Sequence, residues 1–171
     1  MDRAGHPDSR KVSKVRLSPR SFLFSLLGGL IAGILDITYA CIFSYVRRGT
    51  RPGTVLQSVA SGAFGQRAFT GGAKMVVLGG IFHFLIATVA AVIYYLASRG
   101  LRFLITHAAS CGILYGVGVY LLMNFVVLPL SAIPFKMSYP WPALIGGLLI
   151  HMFGIGLPIS LAVRWGSKSS T

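Results

Sequence analysis

The chain has 171 residues, 54% hydrophobic and 11% charged, with a mean hydropathy of +0.74. A soluble domain carries about 25% charged residues, so this composition excludes an ordinary water-soluble fold and leaves no length for a separate soluble catalytic domain. Sixteen Lys and Arg stand against three acids, Asp2, Asp8 and Asp36, for a formal net charge of +13; because the basic residues gather in the tail and at the ends of apolar runs, they predict a lipid bilayer and its anionic headgroups as partners, and no nucleic acid.

Residues 1–21 form a basic tail with six Lys and Arg, expected to be disordered or to lie on the cytoplasmic membrane surface. Residues 22–46 are the first predicted span, longer than the roughly 20 apolar residues needed to cross about 30 Å of hydrocarbon. The run is too long for the apolar part of a signal peptide, and it contains Asp36, so it reads as an uncleaved signal anchor. Arg47 to Gly53 end the span with charge, Gly and Pro. In residues 54–69 apolar Val55, Leu56, Val59, Ala60, Ala63 and Phe64 recur at helical spacing. That pattern predicts a short amphipathic helix, either lying in the interface or packed on the bundle as a connector.

Residues 75–97 form the second span, with His83 inside and Tyr94 and Tyr95 near the end expected in the headgroup belt. A short basic loop leads to the third span, 108–130, which carries Tyr120 and Asn124. A loop rich in Pro and aromatics, with Tyr139 and Trp141 suited to the headgroup belt, precedes the fourth span, 143–163, which contains His151 and Pro158. Residues 167–171 are the C-terminal tail of a transmembrane domain covering 22–166. The fold class is therefore all-α, a four-helix antiparallel transmembrane bundle with a short interfacial helix in the first loop. Ten Lys and Arg on the side of the termini against six on the other predict both termini cytoplasmic. Cys41 and Cys111 lie in opposite halves of the membrane, about 22 Å apart in depth at 1.5 Å per residue, too far for a disulfide.

Counting depth from each span's midpoint converts scattered polar residues into one tier. Asp36 and His151 fall about 3 Å, His83 about 4.5 Å and Asn124 about 7.5 Å from the midplane, all in the same half. Helical spacing places Asp36 on a face with Gly29, Gly33, Tyr39 and Ala40, His83 with Gly79, Gly80, Ala87 and Ala90, and His151 with Gly147, Gly154 and Pro158. Small residues let helices approach, so Gly29, Gly33, Gly112, Gly116, Gly147 and Gly154 are expected at helix contacts. An ionised Asp at that depth costs about 2.5–3.5 kcal/mol and should be protonated, paired or hydrated. Arg47 and Arg48 begin about 16 Å along the helix, leaving His83 and His151 as its cation-capable neighbours. Asp36, His83, His151, Asn124, Tyr39 and Tyr120 are thus the candidate intramembrane site.

Four readings of that site stay open: a hydrogen-bonded network that only fixes helix packing, a site handling protons or a small solute, a transition-metal site, and bis-His haem ligation. The first two lead, so no cofactor and no metal is assigned. No nucleophile, phosphate-loop or paired-acid motif points to a familiar enzyme. A homo-oligomer is left open.

The runs GGLIAGILD, LQSVASG, HFLIATVAAVIYYLA, YGVGVYLLMNFVVLPLSAIPF and GGLLIHMFGIGLPI resemble a group of small, uncharacterised bacterial inner-membrane proteins and, more distantly, YagU-type membrane proteins. The resemblance covers about residues 28–164, most specifically 123–134. It implies a multi-pass protein of a bacterial plasma membrane, with no reaction or cargo attached.

Overall fold

The computed structural model describes residues 19–135 and 140–168; the predicted basic tail up to residue 18, Tyr139 in the third loop and residues 169–171 lie outside the described residues. The described chain is helical, without strands. Helix α1 spans Pro19–Arg48, α2 Pro52–Phe64 and α3 Gly72–Gly100; a single turn, α4, covers Phe103–Thr106; α5 runs over Ala108–Leu130 and α6 over Trp141–Lys168. Helices α1, α3, α5 and α6 are long and apolar enough to cross a membrane, and they alternate in direction. All but α5 extend beyond the predicted spans by a few residues.

The ends follow from local chemistry. After the basic last turn of α1, which suits the negative end of the helix dipole, Gly49 takes a φ of +65°. Its N–H bonds the Tyr45 carbonyl, the 5→1 bond of an αL ending, and the Thr50 N–H bonds the Ser44 carbonyl. Pro52 then opens α2, where its missing donor costs nothing. The amphipathic helix expected over 54–69 is divided: α2 stops at Phe64, Gly65 adopts a φ of +59°, and a 3-10 turn carries Gly65–Phe69.

Helix α2 packs on the bundle, as the connector reading expects. The carbonyl of Leu56 presses on Gly79 of α3 so closely that a Cβ there would collide with it. Val55, Ala60 and Ser61 are buried, Phe64 stacks on Phe82, and the Ala132 N–H donates to the Gly62 carbonyl. Helix α2 therefore ties the α1–α3 end of the bundle to the segment after α5.

In the bundle α1 is wedged between α3 and α6, while α5 packs on α6. The side of α1 that packs is built of small residues, Ser21, Ser25, Gly28, Gly29, Ala32 and Gly33, at helical spacing. Its large side chains point outward, as do those of its neighbours: Leu30 is 47% exposed, Ile42 60%, Leu114 70% and Phe125 68%. Small residues inside and large apolar residues outside is the pattern of helices whose surroundings are as apolar as leucine; in water such a surface would far exceed the patches soluble monomers expose.

The glycines divide the labour. Gly28 faces Ala162 and the backbone at Ile159 of α6, whereas Gly29 and Gly33 face Ala87 and its neighbours on α3. Gly112 and Gly116 bring α5 backbone-to-backbone against α6 at His151 and Gly156. Gly28, Gly79 and Gly156 join the predicted contact glycines, while Gly154 meets mainly Ile150 of its own helix and Gly80 meets nothing.

The core, formed around Ala32, Ala91, Tyr94, Tyr95, Ile159 and Val163, sits in the half nearest the termini. Tyr94 and Tyr95 therefore do not serve the headgroup belt. They are 1% and 2% exposed. The Tyr94 hydroxyl donates to the Leu104 carbonyl at 2.9 Å, and Tyr95 is covered by Phe22 and by the Arg99 guanidinium. A tyrosine whose hydroxyl finds a partner packs as well as phenylalanine.

Candidate functional site

Helices α5 and α6 change character where they carry their polar residues. Residues Met123–Val127 of α5 and Ile150–Gly156 of α6 are π-helical, and these segments contain Asn124 and His151. The cause lies just downstream. Pro129 and Pro158 lack an N–H, and their rings crowd the carbonyls four residues earlier, at Phe125 and Gly154. In each case the leucine before the proline donates five residues back: Leu128 N–H to the Met123 carbonyl and Leu157 N–H to the Met152 carbonyl. Such wide turns occur often at functional sites.

Above this level the bundle opens. Among the described residues α3 and α5 do not pack along their lengths; they are joined by the Tyr115 hydroxyl, which donates to the Ala90 carbonyl at 2.7 Å. Between them lies a cavity of about 700 Å³, walled by α1, α3, α5 and α6 and closed at one end by α2. A volume of this size suits a small-molecule site. Its walls are mostly apolar, and Asp36, Tyr39, His83, Tyr120, Asn124 and His151 all line it.

Asp36 meets His151 across the α1–α6 contact, with Oδ1 4.0 Å from Nδ1 and the two side chains 21% and 15% exposed. That separation is beyond a hydrogen bond; it becomes an ion pair only when the imidazole is protonated. The same Nδ1 lies 2.8 Å from the Gly147 carbonyl. A carbonyl can only accept, so this nitrogen carries the proton and Nε2 is left as the position that exchanges.

His83 is placed differently. Its Nε2 donates to the Gly33 carbonyl of α1 at 2.9 Å, an approach made possible because Gly33 presents no side chain to Phe84 and Ala87. The Tyr120 ring meets His151 edge-on at 5.3 Å, and its Cε2 would lie 3.0 Å from a Cβ on Gly147. Tyr39, stacked on Phe43, sets its hydroxyl in the space a side chain on Gly146 would fill. The Gly146–Gly147 pair thus seats two tyrosines beside His151. Asn124 Nδ2 donates to the Tyr120 carbonyl at 2.9 Å.

All six sequence-predicted residues share one cavity, and Asp36 and His151 stand 4.0 Å apart in it. His83 is held by backbone one turn away from Asp36. Among the described residues no group of three His, Cys, Asp or Glu is assembled to hold a metal ion, and bis-His ligation of a haem through Nε2 would require the His83 imidazole to leave the Gly33 carbonyl, whereas His151 keeps its bond through Nδ1. Cys41 and Cys111 are free thiols. The aromatic wall, Phe43, Phe82 and Phe135, and the contribution of α2 were missed from sequence. Phe43 stands seven residues after Asp36 and so shares its face, which was a usable signal. No protein-family model, curated protein or solved structure matches the chain.

Proposed function

We propose that this is a multi-pass membrane protein that binds a small solute in the cavity and exchanges protons through Asp36 and His151. The membrane is a bacterial plasma membrane, as the resemblance of spans one to four implies; the termini are cytoplasmic, as the Lys and Arg bias implies, and the basic residues at the helix ends meet anionic headgroups. One observation carries the reading: the six polar side chains that an apolar bundle would be expected to avoid converge on one cavity, with the carboxylate and an imidazole 4.0 Å apart. An intramembrane ionisable residue is costly unless it does something, and the cavity gives it something to act on.

The test is a pH-driven flux in liposomes. The unaltered protein dissipates an imposed pH gradient, and Asp36→Asn, which keeps the shape and removes the charge, abolishes that flux while the protein stays monodisperse in detergent. Flux that is absent, or unchanged by the substitution, removes the proposal. A second reading then takes over, favoured by the fact that both imidazoles already bond backbone carbonyls: the polar residues would serve only to fix α1 against α3 and to set the side chain on α6.

A further inference from the structure

We infer that the solute is a lipophilic organic cation, seated with its charge at Asp36 and its apolar body along the aromatic and aliphatic wall between α3 and α5. The inference rests on the proposal above and names the substrate class of the same site. Three features of the cavity carry it.

The first is charge. Asp36 is the only acidic residue among the described ones, and none of the described Lys or Arg lines the cavity. His151 stands near it but donates its Nδ1 proton elsewhere, so the described residues give this carboxylate no permanent counter-charge. The second is the wall. Tyr39, Phe43, Phe82 and Tyr120 line the same cavity as that carboxylate, and aromatic faces attract a desolvated cation by about 2 kcal/mol or more. The third is access. Leu85 and Ile86 of α3 and Val127 of α5 line the cavity and are 56%, 40% and 37% exposed, at a level where α3 and α5 do not pack along their lengths. The cavity therefore opens sideways between α3 and α5, toward the hydrocarbon where a lipophilic cation concentrates. At the α2 end, Arg47, Arg48, Arg51, Arg67 and Lys74 of the first connection disfavour a cation arriving from water.

Cation and proton compete for one carboxylate, so binding of the one releases the other. The titratable groups facing Asp36 are Tyr39 on its own helix, His83 on α3, Tyr120 on α5 and His151 on α6, and α2 contributes none to the cavity. Protonation of either imidazole adds positive charge to the site and acts in the same direction, so acid weakens cation binding through every one of these groups that titrates.

The experiment uses the detergent-purified full chain and two probes of similar shape, tetraphenylphosphonium and neutral triphenylphosphine oxide, with affinity read by equilibrium dialysis. The phosphonium binds at neutral pH, at least about tenfold more tightly than the oxide, and weakens as pH falls. Asp36→Asn lowers phosphonium affinity by about tenfold or more and leaves the oxide unchanged. Phe43→Ala, which leaves every polar group in place, lowers phosphonium affinity as well, and it decides the matter with the pH series should Asp36→Asn fail to fold. Equal affinity for the two probes, indifference to Asp36→Asn, or binding independent of pH overturns the inference. The liposome proton flux is measured without either probe: flux that depends on Asp36 while the phosphonium fails to bind defeats only the substrate class, and loss of both defeats the proposal beneath it.

Discussion

The same four helices build two unlike halves. Near the termini, α1 presents Ser21 to Ala32, α3 presents Ala87 to Ser98 and α6 presents Ile155 to Val163, and these surfaces close on one another around Tyr94, Ile159 and Val163, each 0% or 1% exposed. One turn beyond Gly33 the same stripe of α1 continues through Asp36, Tyr39, Ala40 and Phe43, but there it faces a cavity. The difference is made by what sits opposite. In the closed half, glycine and alanine allow backbones to touch, and the tyrosine hydroxyls reach carbonyls. In the open half, α5 and α6 turn π-helical at Met123–Val127 and Ile150–Gly156, and Tyr120 and His151, in contact with each other, line the gap. A rigid end carries an end that can afford empty space and a buried carboxylate.

Filling a backbone-to-backbone contact between α5 and α6 should be the most damaging change. A Cβ on Gly116 would strike the His151 carbonyl and lie 2.7 Å from Met152 Cα, so Gly116→Val is expected to cost about 3 kcal/mol or more, measured by denaturant unfolding in detergent. A loss near zero would mean that α5 and α6 separate freely, and that the backbone under His151 is not fixed by α5. Next comes a matched pair. Ile159→Ala removes methyls from a fully buried position and should cost about 2 kcal/mol, the low end for such changes because hydrocarbon surroundings reward burial less than water does. Ile150→Ala only enlarges a cavity already present, and should cost less than about 1 kcal/mol. Equal costs would erase the distinction between the halves. Smaller again is Tyr115→Phe, which deletes the bond from α5 to the Ala90 carbonyl. A loss of about 0.6 kcal/mol is expected, the average for a polar contact between membrane helices.

What the sequence revealed and what it withheld have a common physical origin. Apolar runs and helical spacing are local, so the four long helices and the inward faces of Asp36, His83 and His151 could be counted directly. Whether two inward faces touch or leave a gap depends on the sum of side chains from three helices, and no single periodicity reports that sum. Tyr94 and Tyr95 illustrate the limit: their place near a helix end suggests the headgroup belt, while the partner of the Tyr94 hydroxyl, Leu104, lies in a separate turn and Tyr95 is covered by Phe22 of α1. Gly28 was passed over for the same reason, because a Gly-xxx-Gly pattern records one packing face and α1 has two. The π segments were legible in principle, since Leu128-Pro129 and Leu157-Pro158 stand immediately after them, but proline more often reads as a kink than as a widened turn.

That last feature gives the subtlest way to separate the two halves. Pro158→Ala restores a donor to the Gly154 carbonyl and relieves the crowding that widens the turn, so the stability change should stay within about 1 kcal/mol. Its effect is instead one of direction. An α-helix advances about 100° per residue, so removing the extra residue from the wide turn rotates the part of α6 before it relative to the part after it. Ile159 and Val163 keep their places in the closed half, whereas His151 swings off the cavity and away from Asp36. Proton flux in liposomes should then fall toward the level of Asp36→Asn while thermal unfolding hardly moves. Should flux persist with His151 still 4.0 Å from Asp36, the proline is not what aims the imidazole, and the tight seat of Gly116 against the His151 carbonyl becomes the feature that does.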